Sequence, residues 1–252
     1  MNPTLMRELG WESDKYFAIR NRLIDRGEAI KGRGRGGSTS LISSEETSIE
    51  VEDNEAKNST PAPARITEDS LYEPCLKIIE NNWTDDEGFD RHLSYNTARQ
   101  GRRSTGGKWS RPDLAVLALK AYPYLPGKTF EIITFEVKPP DDVTVEGVFE
   151  ALAHQQMATR AYVLFYDPDL KQEDSESFRP AFQEKHDKQA RIITTAQKHG
   201  VGVILVTDLE DYSFWEELSP AARVAPDPEQ ANSFIGQSFP DSISDEVLKW
   251  HK

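Results

Sequence analysis

The spacing of apolar positions changes several times along the chain, and each change marks an element. In TEDSLYEPCLKIIENNW, Leu71, Cys75, Leu76, Ile78 and Ile79 recur at intervals of three and four, which predicts a helix with Thr67 and Ser70 available as caps. Three strand-like segments follow, FDRHLSYNTA, RPDLAVLALKAY and TFEIITFEVK, with turn signals at TGG and LPG between them, so a three-stranded meander is expected. The period then returns to that of a helix in VEGVFEALAHQQMAT, and AYVLFY reads as a strand. A second helix, AFQEKHDKQARIITTAQKHG, leads into the apolar run VGVILVTD. This order predicts the α/β class, α+β mixed, with a central mixed sheet flanked by helices. The pieces YSFWEEL and EVLKWHK are aromatic and amphipathic, and read as core cover or a dimer contact rather than base-stacking platforms.

Upstream the pattern differs. PTLMRELG gives a short helix stopped by Gly10. ESDKYFAIRNRLIDRG places Phe17, Ile19, Leu23 and Ile24 at helical spacing between Ser13 as cap and Gly27 as stop. EAIKGRGRGGSTSLI then reads as a short strand, a glycine-rich basic loop and a return strand. The stretch SSEETSIEVEDNEAKNSTPAPARI, polar and acidic with a Pro/Ala end, has too little apolar surface to offset its ordering entropy. The expected organisation is therefore a small module at 1–42, an acidic and proline-containing linker at 43–66, and a larger domain at 67–252.

Charge sharpens this division. The formal net charge of the 252 residues is -13, yet residues 1–42 hold eight Lys and Arg against five Asp and Glu, so they are at +3 and the remainder at -16. An acidic body argues against phosphate binding over most of the surface. One stretch departs from it: RQGRRSTGGKWSR, from Arg99 to Arg111, has five basic residues and no acidic one, and Arg102, Arg103 and Lys108 are its candidates for gripping nucleic acid. The alternative is a solvated hairpin tip. Apolar residues make up 37% and the mean hydropathy is -0.64, which suit a soluble protein with some unpacked length. No apolar run reaches the roughly 18 residues of a membrane helix, and the N-terminus lacks the charged-then-apolar order of a signal peptide, so a cytoplasmic location and no membrane contact are expected. Cys75 alone cannot form an internal disulfide, and no Cys/His cluster has zinc-ligand spacing.

Chemistry concentrates where two apolar strands end in charge. Asp113 stands near the start of one strand, and Glu136 and Lys138 near the end of the next. If the two pair as a hairpin through Tyr122 to Lys128, the carboxylates of Asp113 and Glu136 converge. Glu136 and Lys138 share a face, with Val137 on the other. Two such carboxylates repel unless a cation separates them, and hard oxygen donors suit Mg²⁺ or Mn²⁺. The bland alternative is a set of strand-end charges in a surface ion pair, worth little.

Pro112-Asp113, followed after 22 intervening residues by Glu136-Val137-Lys138, resembles the PD-(D/E)xK nuclease superfamily, the restriction-endonuclease-like fold. The resemblance covers roughly 67–208. It implies a metal-dependent DNA endonuclease in which Asp113 and Glu136 ligate Mg²⁺ or Mn²⁺, the Val137 carbonyl assists, and Lys138 is catalytic. It further implies an acid from the first helix, for which Glu73 is the candidate, and a glutamine on the helix after the lysine, Gln155 or Gln156, with Gln156 preferred. Glu150 and His154 on that helix read as packing or surface residues that could also approach the metal. His92, His186 and His199 show no partner.

The N-terminal pattern resembles a winged helix, which implies that Lys15, Tyr16, Arg20 and Arg22 face DNA while Lys31, Arg33 and Arg35 touch its backbone. The pairing of modules is similar to that in bacterial restriction, phage-defence and repair enzymes. It implies DNA as partner, a homodimer if both strands are cut, and partner proteins of a defence system. Two other functions fit the same residues: a DNA-binding regulator with a degenerate nuclease fold, and an RNA- or nucleotide-activated nuclease.

Overall fold

The computed structural model describes residues 29–31, 39–41, 66–98, 111–172, 176–188 and 191–250. The chain divides into two units, Met1–Ala62 and Pro63–Lys252. In the first, β1 (Ala29–Lys31) and β2 (Thr39–Leu41) pair antiparallel with Ile30 opposite Ser40, as the strand, glycine loop and return strand of the sequence predict. The helices before this hairpin, with Lys15, Tyr16, Arg20 and Arg22, its loop with Arg33 and Arg35, the Lys31 side chain, and the stretch holding Arg102, Arg103 and Lys108 all lie outside the described residues.

The second unit is built on six strands in sequential order. β3 (Arg91–Asn96), β4 (Leu114–Ala121) and β5 (Lys128–Lys138) form the expected antiparallel meander. β6 (Arg160–Tyr166) and β7 (Gly202–Val206) add to β5 in parallel, and β8 (Trp215–Ser219) returns antiparallel at the edge. The mixed sheet follows from the connections. The hairpin tip at Leu125-Pro126-Gly127, with Gly127 at φ 84°, turns β4 back on itself, whereas β5 to β6 and β6 to β7 cross over through helical segments.

Helices cover both faces. On one lies α1 (Glu68–Ile78), which runs on through a π turn at Ile79–Trp83 and a last turn at Thr84–Asp86. Thr67 is its N-cap, and the Thr67 amide donates to Ser70 Oγ at 3.2 Å. Leu71, Cys75, Ile79 and Trp83 pack on Val116, Phe135, Val137 and Tyr162. Phe135, fully buried, meets Trp83 edge-on at 5.2 Å and stacks on Tyr162 at 5.5 Å. On the opposite face α2 (Val145–Ala153) and α4 (Ile192–His199) cover β6 and β7 through Val148, Ala151 and Ala196. There α5 (Pro228–Ser238) and α6 (Asp241–Lys249) cover β4 and β5 through Phe234 and Val247.

One expectation is corrected. The second crossover is not one helix: α3 (Arg179–Phe182) passes into a π segment at Gln183–Asp187 and separates from α4 at Arg191, whose φ of 52° is left-handed. YSFWEEL covers the core as expected: Tyr212–Phe214 is a 3-10 turn, Trp215–Ser219 is the edge strand β8, and Tyr212, Phe214 and Trp215 pack against the core. Among the described residues no helix is long and apolar enough to cross a membrane.

Candidate active site

The register of β4 and β5 decides what the strand ends bring together. Leu114 pairs with Phe135, so Asp113, one residue outside β4, falls opposite Glu136. Two hydrogen bonds fix it there. The Asp113 amide donates to the Phe135 carbonyl at 3.1 Å, and the Val137 amide donates to Asp113 Oδ2 at 2.8 Å. The Val137 side chain packs into the α1-side core, so Glu136 and Lys138 emerge on the other face, as strand alternation requires. Asp113, Glu136 and Lys138 are only 8%, 8% and 5% exposed.

Both helical layers send acids to the same point. Lys138 Nζ lies 2.9 Å from Glu136 on its own strand, 2.9 Å from Glu68 at the start of α1, and 2.6 Å from Glu150 on α2. The stem of Lys138 passes close beneath α2 at Gly147, where an added Cβ would stand 3.2 Å from Lys138 Cγ and 3.2 Å from Val163 Cγ2. The Tyr72 hydroxyl, one turn after Glu68, donates to the Asp113 carboxylate. Asp142, in the 3-10 turn Pro140–Asp142 that follows β5, is close enough for Lys138 and Glu68 to act on its charge. An open groove of about 700 Å³ runs alongside, lined by Glu68, Asp69, Tyr72, Pro139, Asp141 and Asp142 among others.

Among the described residues, three carboxylates, those of Glu136, Glu68 and Glu150, contact the Lys138 ammonium, and that of Asp113 falls opposite Glu136. Burial pushes the Glu136 carboxyl far above the usual carboxylate range, and the neighbouring charge of Asp113 pushes it further. Burial raises Asp113 too, against the opposing hydrogen bonds from the Val137 amide and Tyr72. For Lys138 burial works downward, but the charge of Glu136 and the hydrogen bonds to Glu150, Glu68 and Glu136 outweigh it, so its pKa rises. These carboxylates hold Lys138 in its ammonium form.

This charge balance is the test of whether the residues fit a metal ion. As the side chains stand, no group of three or more His, Cys, Asp or Glu among the described residues is spaced to hold one. The chemistry of the donors nevertheless fits: burial drives two converging carboxylates toward protonation, and the charge of Lys138 opposes this only in part. A hard divalent cation answers that charge directly. Asp113 and Glu136 are the residues that would hold it.

The structure brings Asp113, Glu136, Val137 and Lys138 together as the sequence predicts, and leaves two other candidates elsewhere. Glu73 is exposed and accepts a hydrogen bond from Asn96 Nδ2 at 3.2 Å. Five residues after Glu68, it is turned about 140° around the helix. The acid of the first helix is Glu68, and Glu68, Tyr72 and Cys75 at i, i+4 and i+7 were the signal that could have found it. Gln156 also lies away from the site: α2 tightens into a 3-10 turn at His154–Gln156, which leaves Gln156 exposed with its carbonyl accepting from the Asp227 amide at 2.9 Å. Gln155 donates to the His199 and Gly200 carbonyls instead. The residues of this helix that reach the site are Glu150 and His154, whose Nε2 is 3.9 Å from Glu136 Oε2. Of the other histidines, His186 contacts the buried Asp167 at 2.5 Å and His92 lies 3.4 Å from Thr84 Oγ1.

No family model matches the chain, and no curated protein matches it. Among solved structures, the SPO1766 protein of unknown function from Silicibacter pomeroyi aligns over 73% of this chain and 90% of its own, at 11% identity and a TM-score of 0.36. A likeness of that size carries no argument about fold or activity.

Proposed function

We propose that the unit from Pro63 to Lys252 is a restriction-endonuclease-like, metal-dependent phosphodiesterase acting on DNA, with the basic N-terminal module as a winged-helix reader of the duplex. The observation that carries this reading is the convergence of Asp113, Glu136 and Lys138 at paired strand ends, with a helix acid from each face of the sheet. Asp113 and Glu136 hold Mg²⁺ or Mn²⁺, and the Val137 amide keeps Asp113 in place. When bound, the cation supplies positive charge to the phosphate and acidifies water. Lys138, which keeps its proton, stabilises charge that develops on the phosphate oxygens and holds the attacking water by donating to it. Glu68 and Glu150 position that ammonium. The acidic groove beside the site would repel a phosphodiester without a cation, so metal and substrate binding are coupled.

The test is incubation of the full chain with supercoiled, linear and single-stranded DNA and with RNA, plus Mg²⁺ or Mn²⁺, beside Asp113→Ala and Lys138→Ala. Cleavage by the wild type that both variants lose is expected. Wild type and variants behaving alike on every substrate would leave the rival reading, a DNA-binding regulator, which gains from Lys138 already being saturated by carboxylates.

A further inference from the structure

His154 is buried completely at the end of α2, and neither ring nitrogen has a hydrogen-bond partner in the protein. Buried polar groups are nearly always paired, so an orphaned imidazole calls for a reason. Its surroundings supply one. Its Nε2 lies 3.9 Å from Glu136 Oε2, the oxygen not shared with Lys138, and Glu150 is one helical turn before it. That separation is too long for a hydrogen bond. It lies within the range from about 3 Å for adjacent ligands of one ion to about 4 Å for opposite ones, given bonds of about 2.0–2.2 Å. Burial holds the ring neutral, its pKa lowered to about 3, and the neutral form is the one that offers a lone pair.

We infer that His154 is a nitrogen ligand of the cation held by Glu136, so that the site takes a first-row transition ion such as Mn²⁺ in preference to Mg²⁺. This rests on the metal-dependent reading above and specifies which ion the site selects. An all-oxygen site suits Mg²⁺, whereas an imidazole shifts preference toward ions that accept nitrogen donors. The ring occupies its place because α2 passes so close over Lys138 and because the helix tightens at His154, whose carbonyl accepts from the Met157 and Ala158 amides.

The test is binding of Mn²⁺ and Mg²⁺ to the full chain by titration calorimetry, with pulsed electron paramagnetic resonance of the Mn²⁺-loaded protein, for wild type, His154→Leu and Asp113→Asn. Expected are a ¹⁴N coupling in the wild type, an at least ten-fold tighter hold on Mn²⁺ than on Mg²⁺, and loss of about ten-fold or more of the Mn²⁺ affinity in His154→Leu with Mg²⁺ affinity little changed. A wild-type spectrum without ¹⁴N coupling overturns the inference even if His154→Leu does not fold, and leaves the phosphodiesterase reading standing. Wild type that binds neither ion, or binds them no better than Asp113→Asn, overturns both.

Discussion

Removing the ammonium at the centre of the carboxylate cluster should destabilise the protein in a pH-dependent way. Lys138→Met keeps most of the stem that packs under Gly147 and deletes only the charge. The substitution breaks the ion pairs to Glu136 and Glu150, whose side chains are 11% and 14% exposed, and the one to Glu68, which at 37% is screened and adds little. Two unit charges about 4 Å apart at an effective dielectric constant of about 20 interact by about 4 kcal/mol before desolvation is charged against them. Breaking a buried pair on one side costs about 3–5 kcal/mol, and that is the loss expected near pH 8. The sign with pH follows from the raised Asp113 and Glu136 carboxyls. A carboxyl whose folded pKa exceeds its unfolded value of about 4 contributes stability present below that value, and loses it as pH rises through the folded pKa. Wild type therefore weakens as pH climbs from mildly acidic to alkaline. Without Lys138 both folded values rise further, so the variant should regain at least half its deficit by pH 5. Urea unfolding at pH 5, 6.5 and 8 measures this, and an equal deficit at all three values would refute the charge balance.

Three further outcomes are expected. Glu68→Ala should reduce cleavage and loosen Lys138, whereas Glu73→Ala, on the exposed side of α1, should leave activity unchanged and stability within about 0.5 kcal/mol; nuclease assays and thermal melts on both separate the two acids. Gly202→Ala would drive a Cβ into the ring of Tyr162, which itself packs on Phe135 and Trp83, and should lower stability by about 1–3 kcal/mol in urea titration. Affinity for Mg²⁺ or Mn²⁺ should rise with pH from below neutrality into the alkaline range, because Asp113 and Glu136 must shed protons to bind; calorimetry showing pH-independent affinity across that range would contradict their raised values.

The meander and its partners were legible because the physics that forms them is local. LAVLAL and EIITFEV alternate or run apolar over a strand's length, and LPG between them supplies the one left-handed residue the turn needs at Gly127. The break between α3 and α4 was not legible. Nothing in KHDKQARII forbids a helix, and Arg191 takes a left-handed backbone that the pattern does not announce. The edge strand was hidden for a related reason. WEELS carries two glutamates that weaken its strand pattern, and it becomes a strand by pairing with β7, with Leu218 and Ser219 buried while Glu217 stays outside.

For the site, the same division falls between residues one strand apart and residues one helix away. Asp113, Glu136 and Lys138 could be placed from sequence because strand alternation and a short hairpin fix which side chains meet. The acids that complete the cluster depend on which face each helix turns to the sheet, and more than one acid competes on each. Glu68, Asp69 and Glu73 all lie within six residues of α1, and only the phase set by Leu71, Cys75 and Ile79 selects Glu68. On α2 the decisive residue has no chemistry of its own. Gly147 lets the helix lie close enough to β5 for Glu150 to reach Lys138 Nζ and for His154 to approach Glu136. In an amphipathic helix a glycine costs about 0.5–1 kcal/mol relative to alanine. Here the Lys138 stem and Val163 pass beneath it, so an added Cβ would meet both at 3.2 Å.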